Sequence, residues 1–210
     1  MDLNEEKHEE HYKKHYFESR ALLKLHAIEL GIDHESKEPE ELAKEVHEGF
    51  IKKAAAKYGI EVDGKDFEAL EQEVIEAKVL EQAKKFGIDT SGKTPEELRK
   101  EVREIKIMNK AKELGISPDG KDIDTLKKEV METKMMKEAE ELGIDTKDKD
   151  LKELAQEIHE QKVIQTAEAL GINTKTRQSE SLLEEIVTNY YEKAQKQELY
   201  PFKKHKIGSE

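Results

Sequence analysis

The 210-residue chain contains no cysteine. Disulfides, thiolate–metal sites and a cysteine nucleophile are therefore excluded. It contains no tryptophan, and aromatic residues make up only 5%. They cluster at the two ends (Tyr12, Tyr16 and Phe17, then Tyr190, Tyr191, Tyr200 and Phe202), which does not suit base stacking along the chain. They suit sealing of the ends or contact with a partner. Classical hydrophobic residues reach 35%, against 41% charged. Such a chain can bury narrow apolar stripes but not one thick globular core. No apolar run approaches the roughly 20 residues of a membrane span. The opening MDLNEEKHEEHYKKHY has no apolar stretch of the signal-peptide kind, so a cytoplasmic location is expected. The formal net charge of −12 argues against whole-surface binding to nucleic acid or to an anionic membrane. It leaves room for a local basic strip.

What is present is one phrase, repeated. The pair Gly-Ile occurs at Gly31, Gly59, Gly87, Gly115, Gly143 and Gly171, each 28 residues after the last. Cutting after each Ile aligns the chain without a gap, with divergent half-copies at the two ends that read as capping units. Within one period, apolar residues fall at Leu98 and Val102, then at Ile107, Ala111 and Leu114. The spacings of three and four are helical. Thr94-Pro95-Glu96-Glu97 reads as a capping box with Pro at the first helical position. Asp66, Asp122 and Asp150 occupy the same cap position in other copies. Leu114-Gly115-Ile116 reads as a stop, with Gly in the left-handed C′ position and Ile folding back towards Ala111.

Each period is thus a helical stretch of about 20 residues, roughly 30 Å if straight, plus a loop of about eight. At about 100° per residue, Leu98 and Val102 lie at about 0° and 40°, whereas Ile107, Ala111 and Leu114 lie near 180°, 220° and 160°. The two halves face opposite ways. The second half of one stretch is therefore expected to pair with the first half of the next, across the loop. The predicted fold is all-α: an elongated array of six 28-residue helix–loop–helix modules joined by shared or kinked helices, each touching mainly its neighbours. The expected divisions are a His/Glu-rich cap helix at 1–18, the array at 19–197 and a flexible basic tail at 198–210.

The phrase Ala83-x-x-Phe86-Gly87-Ile88-x-x-x-Gly92-Lys93-Thr94-x-x-Glu97-Leu98-x-x-x-Val102 resembles the helix–extended loop–helix units of SAP, LEM and Rho N-terminal-type domains. The resemblance covers about residues 20–195. It implies two short helices flanking an extended loop that carries the Gly-Lys pair. SAP domains bind DNA, Rho-type units sit in RNA-binding regions and LEM domains bind a protein partner. SAP-like DNA binding implies basic residues near the loop and second helix. The loop cation recurs here as Lys37, Lys65, Lys93, Lys121, Lys149 and Arg177. The second helix departs from that pattern, being acidic through Glu45, Glu73, Glu101, Glu129 and Glu157.

Other motifs yield to structural readings. GIDTSGKT, from Gly87 to Thr94, spells a phosphate-binding loop. A real one follows a buried strand, whereas an amphipathic helix precedes this one, and the copies GIEVDGKD and GISPDGKD lose the hydroxyl that would hold Mg²⁺. Helix termination accounts for Gly87 and capping for Thr94; Lys93 alone is left without a structural duty. The DGKD stretches at Asp63 and Asp119 echo a calcium loop, but the twelfth residue from Asp119 is Val130 rather than a closing Glu. They read as turns and caps. His8, His11 and His15 share one face of an N-terminal helix and are the one candidate transition-metal cluster; a solvated polar helix is the preferred reading, and no metal or cofactor is expected. A row at Lys78, Lys106, Lys134 and Lys162, alternating with Glu76, Glu104, Glu132 and Glu160, reads as a solvated, salt-bridged face. No catalytic grouping stands out, so an enzyme is not expected. The expectation is a non-enzymatic interaction or scaffold protein that binds a macromolecular partner, a protein, along its extended surface. The alternative is a DNA- or RNA-binding protein that uses the loop cations as its ladder.

Overall fold

A computed structural model describes residues 19–202 of the chain. The expected cap helix at 1–18, with His8, His11, His15, Tyr12, Tyr16 and Phe17, lies outside the described residues, as does the basic end of the tail from 203 onward. Among the described residues there are eight helices and no strand. They are α1 (Arg20–Leu30), α2 (Pro39–Tyr58), α3 (Phe67–Lys85), α4 (Pro95–Leu114), α5 (Ile123–Glu141), α6 (Leu151–Leu170), α7 (Ser179–Asn189) and α8 (Tyr191–Lys196). The fold is all-α. The long helices run unbroken through the point where the apolar stripe changes face.

The stops follow from the glycines. Gly31, Gly59, Gly87, Gly115, Gly143 and Gly171 all have φ between 67° and 82°, a region closed to most side chains and open to glycine. After each, the Ile amide turns back and donates to the carbonyl of an alanine five residues earlier. Those bonds, from Ile32 to Ala27, Ile60 to Ala55, Ile88 to Ala83, Ile116 to Ala111, Ile144 to Ala139 and Ile172 to Ala167, are each 2.9 Å. With the companion bond from Gly115 to Lys112 at 3.1 Å, this is the Schellman closure. All six alanines are fully buried. The starts follow from the caps. Thr94 accepts from the Glu97 amide while Glu97 reaches back to the Thr94 amide. Asp66 and Asp122 cap α3 and α5 in the same place, and Asp150 accepts from the Lys152 and Glu153 amides.

The described residues form two compact units: residues 19–50 together with 156–202, and residues 51–155. Both divisions fall inside helices, α2 and α6. In the 51–155 unit the cores are small and separate. Ala55 packs with Leu70 and Val74, Val79 and Ala83 with Leu98 and Val102, and Ala111 with Leu126 and Val130. Each core joins the second half of one helix to the first half of the next, as the opposed stripes require. A fully buried Leu such as Leu126 contributes about 2 kcal/mol in such a core.

In the other unit, Leu23 and Ala27 of α1 pack with Leu42, Ala43 and Val46 of α2. Gly49 sits in the middle of α2 because the Leu30 side chain lies against it; a β-carbon there would stand 2.9 Å from a Leu30 methyl. One pairing lies outside the neighbour-to-neighbour scheme. Ala21 and Leu25, on the other face of α1, share a core with Val163, Ala167, Leu182, Leu183, Ile186 and Val187. Helix α7 carries a double apolar stripe where each half of a long helix carries one, and α1 is apolar on both sides. Residues 198–202 also differ from the expected flexible tail. Phe202 is buried in this core, with Leu199 and Tyr200 packed against it, and the Thr166 hydroxyl donates to the Tyr200 carbonyl at 3.0 Å.

Replacing Ala111 by Leu keeps helix propensity and adds volume where the helices cross. Overpacking is expected to cost about 1–3 kcal/mol. Lys112→Leu, one residue on and exposed, is expected to cost little. Urea denaturation of the two variants checks this; equal midpoints would show that the alanine is not what sets the crossing.

Candidate functional site

The loop cations were the foremost candidates, and the loop geometry determines where they point. The residue before five of the six cations lies in the left-handed region: Gly64, Gly92 and Gly120, then Asp148 (φ 61°) and Thr176 (φ 62°); Ser36, before Lys37, does not. The residue after each cation opens the next helix. This crank sends the cation's side chain along the first two turns of that helix, where a glutamate eight residues on receives it. Lys37 meets Glu45 at 2.5 Å, Lys65 meets Glu73 at 2.5 Å, Lys93 meets Glu101 at 2.7 Å, Lys121 meets Glu129 at 2.5 Å and Arg177 meets Glu185 at 2.5 Å. Lys149 is engaged too. The Glu45 carboxylate holds the Lys37 ammonium above its ordinary range. Lys93 therefore has a structural duty after all, as a staple across the helix start.

GIDTSGKT shows the same economy. The Ser91 amide donates to Asp89 at 3.0 Å, the Lys93 amide to the Thr90 carbonyl at 3.4 Å and the Thr94 amide to Glu97 at 2.7 Å. Amides that a phosphate-binding loop would aim at a ligand are used within the loop. Donation from the Thr94 amide, then from its hydroxyl, holds the Glu97 carboxyl below its usual range. In the DGKD stretch, Asp119 accepts from the Ser117 hydroxyl at 3.0 Å, and Val130 is buried. Among the described residues, no group of three or more His, Asp or Glu side chains is placed to hold a metal ion. No helix among them is long and apolar enough to cross a membrane.

Two features were not read from the sequence. The first is an exposed apolar row. Leu80, Met108 and Met136 are 37%, 50% and 39% exposed and stand 28 residues apart, at one register position of α3, α4 and α5. The spacing was visible, but the positions fall outside the stripe that builds the cores. Leu80 rims an open recess of about 390 Å³ whose walls include Ile60, Ala77, Leu98 and Lys93. The second feature is the seat of Tyr200. Its hydroxyl and His159 Nδ1 are 2.7 Å apart, the two rings meet edge to face, and the Lys162 ammonium lies 5.3 Å from the phenol ring centre. Burial lowers the His159 pKa; Glu180 and Glu160 pull it upward and Lys162 pushes it down further.

Comparison of the chain with protein-family models, with curated proteins and with solved structures finds no match. The geometry alone carries the functional argument.

Two outcomes follow. A double-mutant cycle on Lys93→Met and Glu101→Gln is expected to give a coupling of about 0.5 kcal/mol at low ionic strength that shrinks as salt is added. Zero coupling in urea melts at low salt would remove the staple. His159 is more easily kept neutral in the folded chain than in the unfolded one. Its contribution is therefore complete above the ordinary histidine value of 6.5 and is lost as pH falls through that value towards the lower folded one. His159→Gln is expected to flatten this part of the stability–pH curve, measured by thermal melts across the acid range. An unchanged slope would assign the acid sensitivity to other groups.

Proposed function

We propose that this chain is a non-enzymatic helical-repeat protein that captures a protein partner on the equivalent faces of successive helices. The observation that carries the reading is the row Leu80, Met108 and Met136, large apolar side chains left in solvent at one register position of three consecutive helices. Apolar groups at equivalent places on packed neighbours mark interaction surfaces, and methionine adapts its shape to what binds. Of the families that the module phrase resembles, the LEM type, which binds a protein, fits this surface best. The pairing of the loop cations with their own glutamates weighs against the nucleic-acid reading. A phosphate backbone would have to displace a carboxylate at each contact before gaining anything from counterion release.

The test is affinity capture from an extract of the source cell, with and without nuclease. Leu80→Gln, Met108→Gln and Met136→Gln together are expected to weaken capture by roughly tenfold or more, with the thermal melt unchanged and nuclease without effect. Capture that survives these changes but is abolished by nuclease, or by Lys65→Glu, Lys93→Glu and Lys121→Glu, would replace this reading with nucleic-acid binding.

A further inference from the structure

The 51–155 unit carries a groove of about 360 Å³ rimmed by Arg99, Arg103, Lys106 and Lys127, with Val79, Val102 and Ile107 as its apolar walls and no carboxylate among the residues that form it. In a chain of net charge −12 that segregation is itself a signal. The row containing Lys106 was expected to be laced by salt bridges to the alternating glutamates. The glutamates are instead turned to their own helices: Glu76 accepts from Gln72, Glu132 lies 3.8 Å from Lys128 and Glu160 accepts from Gln156. Lys106 donates to the neutral Gln82 at 2.7 Å. Among the described residues, Arg99, Arg103 and Lys127 have no ion pair. Burial, and then the nearby charge of Lys78, hold the Lys106 ammonium below its usual range, as expected of a cation lacking a counter-charge.

The same face is occupied elsewhere in the chain. Counting by 28, the equivalents of Arg103 and Lys106 in α6 are His159 and Lys162. Those two side chains hold Tyr200 of the chain's own C-terminal segment. In α7 the equivalents of Arg99 and Arg103 are Leu183 and Val187, fully buried in the core shared with α1. This helix face is therefore one on which the fold seats a further piece of polypeptide. On α4 it is open and cationic.

We propose that the α4 groove docks a short acidic peptide segment of a partner protein, with an apolar side chain on Val79, Val102 and Ile107 and flanking carboxylates on Arg99, Arg103 and Lys127. Guanidinium groups match carboxylates in paired, planar hydrogen bonds. A peptide fits better than a nucleic acid because the two arginine positions do not stay cationic along the chain; of the groove cations only Lys106 recurs in each neighbour, as Lys78, Lys134 and Lys162. Where α4 has Arg99, α3 and α6 have Glu71 and Ala155; where it has Arg103, α3 and α5 have Ile75 and Met131. Beyond the groove a polyanion would find a single lysine per helix at these positions, and no aromatic side chain lines the groove for a base to stack on.

This site rests on the protein-capture reading above, so the test separates the two. Fluorescence anisotropy on the full chain uses a labelled peptide in which leucine is flanked by aspartate and glutamate. Binding is expected to saturate, to weaken with salt, and to fall by roughly tenfold or more in the Arg99→Glu, Arg103→Glu double variant. Lys65→Gln, outside the groove, is expected to leave it unchanged. Lys127→Glu, a single exposed position, gives an independent reading if the double variant misfolds. No saturable binding at low salt, or binding indifferent to these changes, overturns the groove. So does tighter binding of a single-stranded oligonucleotide that the same variants abolish. Partner capture retained by the double variant and lost with the Leu80, Met108 and Met136 changes overturns the groove as the partner's seat while leaving protein capture standing. Peptide binding without capture of any protein partner does the reverse.

Discussion

The structure depends on one recurring joint, a buried alanine followed at an interval by glycine and isoleucine. The glycine takes a left-handed conformation that ends the helix, and the isoleucine amide returns to the alanine carbonyl. This satisfies backbone groups that a helix end otherwise leaves to water and turns an apolar side chain back towards the core. The alanine must be small because the next helix crosses over it, and it is fully buried at all six joints. Glycine alone would end the helix. Alanine at that place lets the following helix come close enough for Leu98 and Val102, or Leu126 and Val130, to pack.

The second constraint is the change of face inside each long helix. A step of five residues leads from the last member of one stripe to the first member of the next, about 140° around the helix, and leaves the two stripes on opposite sides. One continuous helix thus belongs to two cores, and neither core needs more than a handful of apolar side chains. This is how a chain with 41% charged residues stays folded. Charges occupy the sides of each helix, where they bond along its length or across its start. Helix α7 departs from the scheme with Leu183 and Val187 beside Leu182 and Ile186, and the larger core around it takes up α1, α8 and Phe202.

The joints, the caps and the pairing across each loop were legible in the sequence because each is local and follows a period. The duty of Lys93 was not. Its bond to Glu101 crosses from a loop into a helix over eight residues, and the rules of helix faces count only positions within the helix. The packing of Leu199 to Phe202 was not legible either, since a segment of four residues has no periodicity to read. The α1–α7 contact had a sequence signal, the apolar residues on both faces of α1 and the doubled stripe of α7. What lay on the other side of those stripes is a matter of long-range packing, which the spacing of one segment does not encode. The exposed row at Leu80, Met108 and Met136 was visible as letters and became meaningful only once the cores were seen to close without it.

Where one phrase recurs through a sequence, most recurring positions explain the fold, and function is to be sought in what the fold leaves over: the exposed row at Leu80, Met108 and Met136, and the places where the copies disagree. The loop cations illustrate the first half of this. They recur because each pairs with a glutamate that recurs with it, and the pair belongs to the helix start. The face of Arg99 and Arg103 illustrates the second. The backbone there is shared with α6 and α7, yet α6 uses the face to hold Tyr200, α7 buries it, and α4 lines it with unpaired cations. Interior packing does not require those arginines, because Leu98 and Val102 already build the core on the adjacent face. A helix gains nothing for its own stability by collecting Arg99, Arg103 and Lys106 on one side, since like charges one turn apart repel. The cost is small but real, and an acidic ligand from outside the chain would reverse its sign.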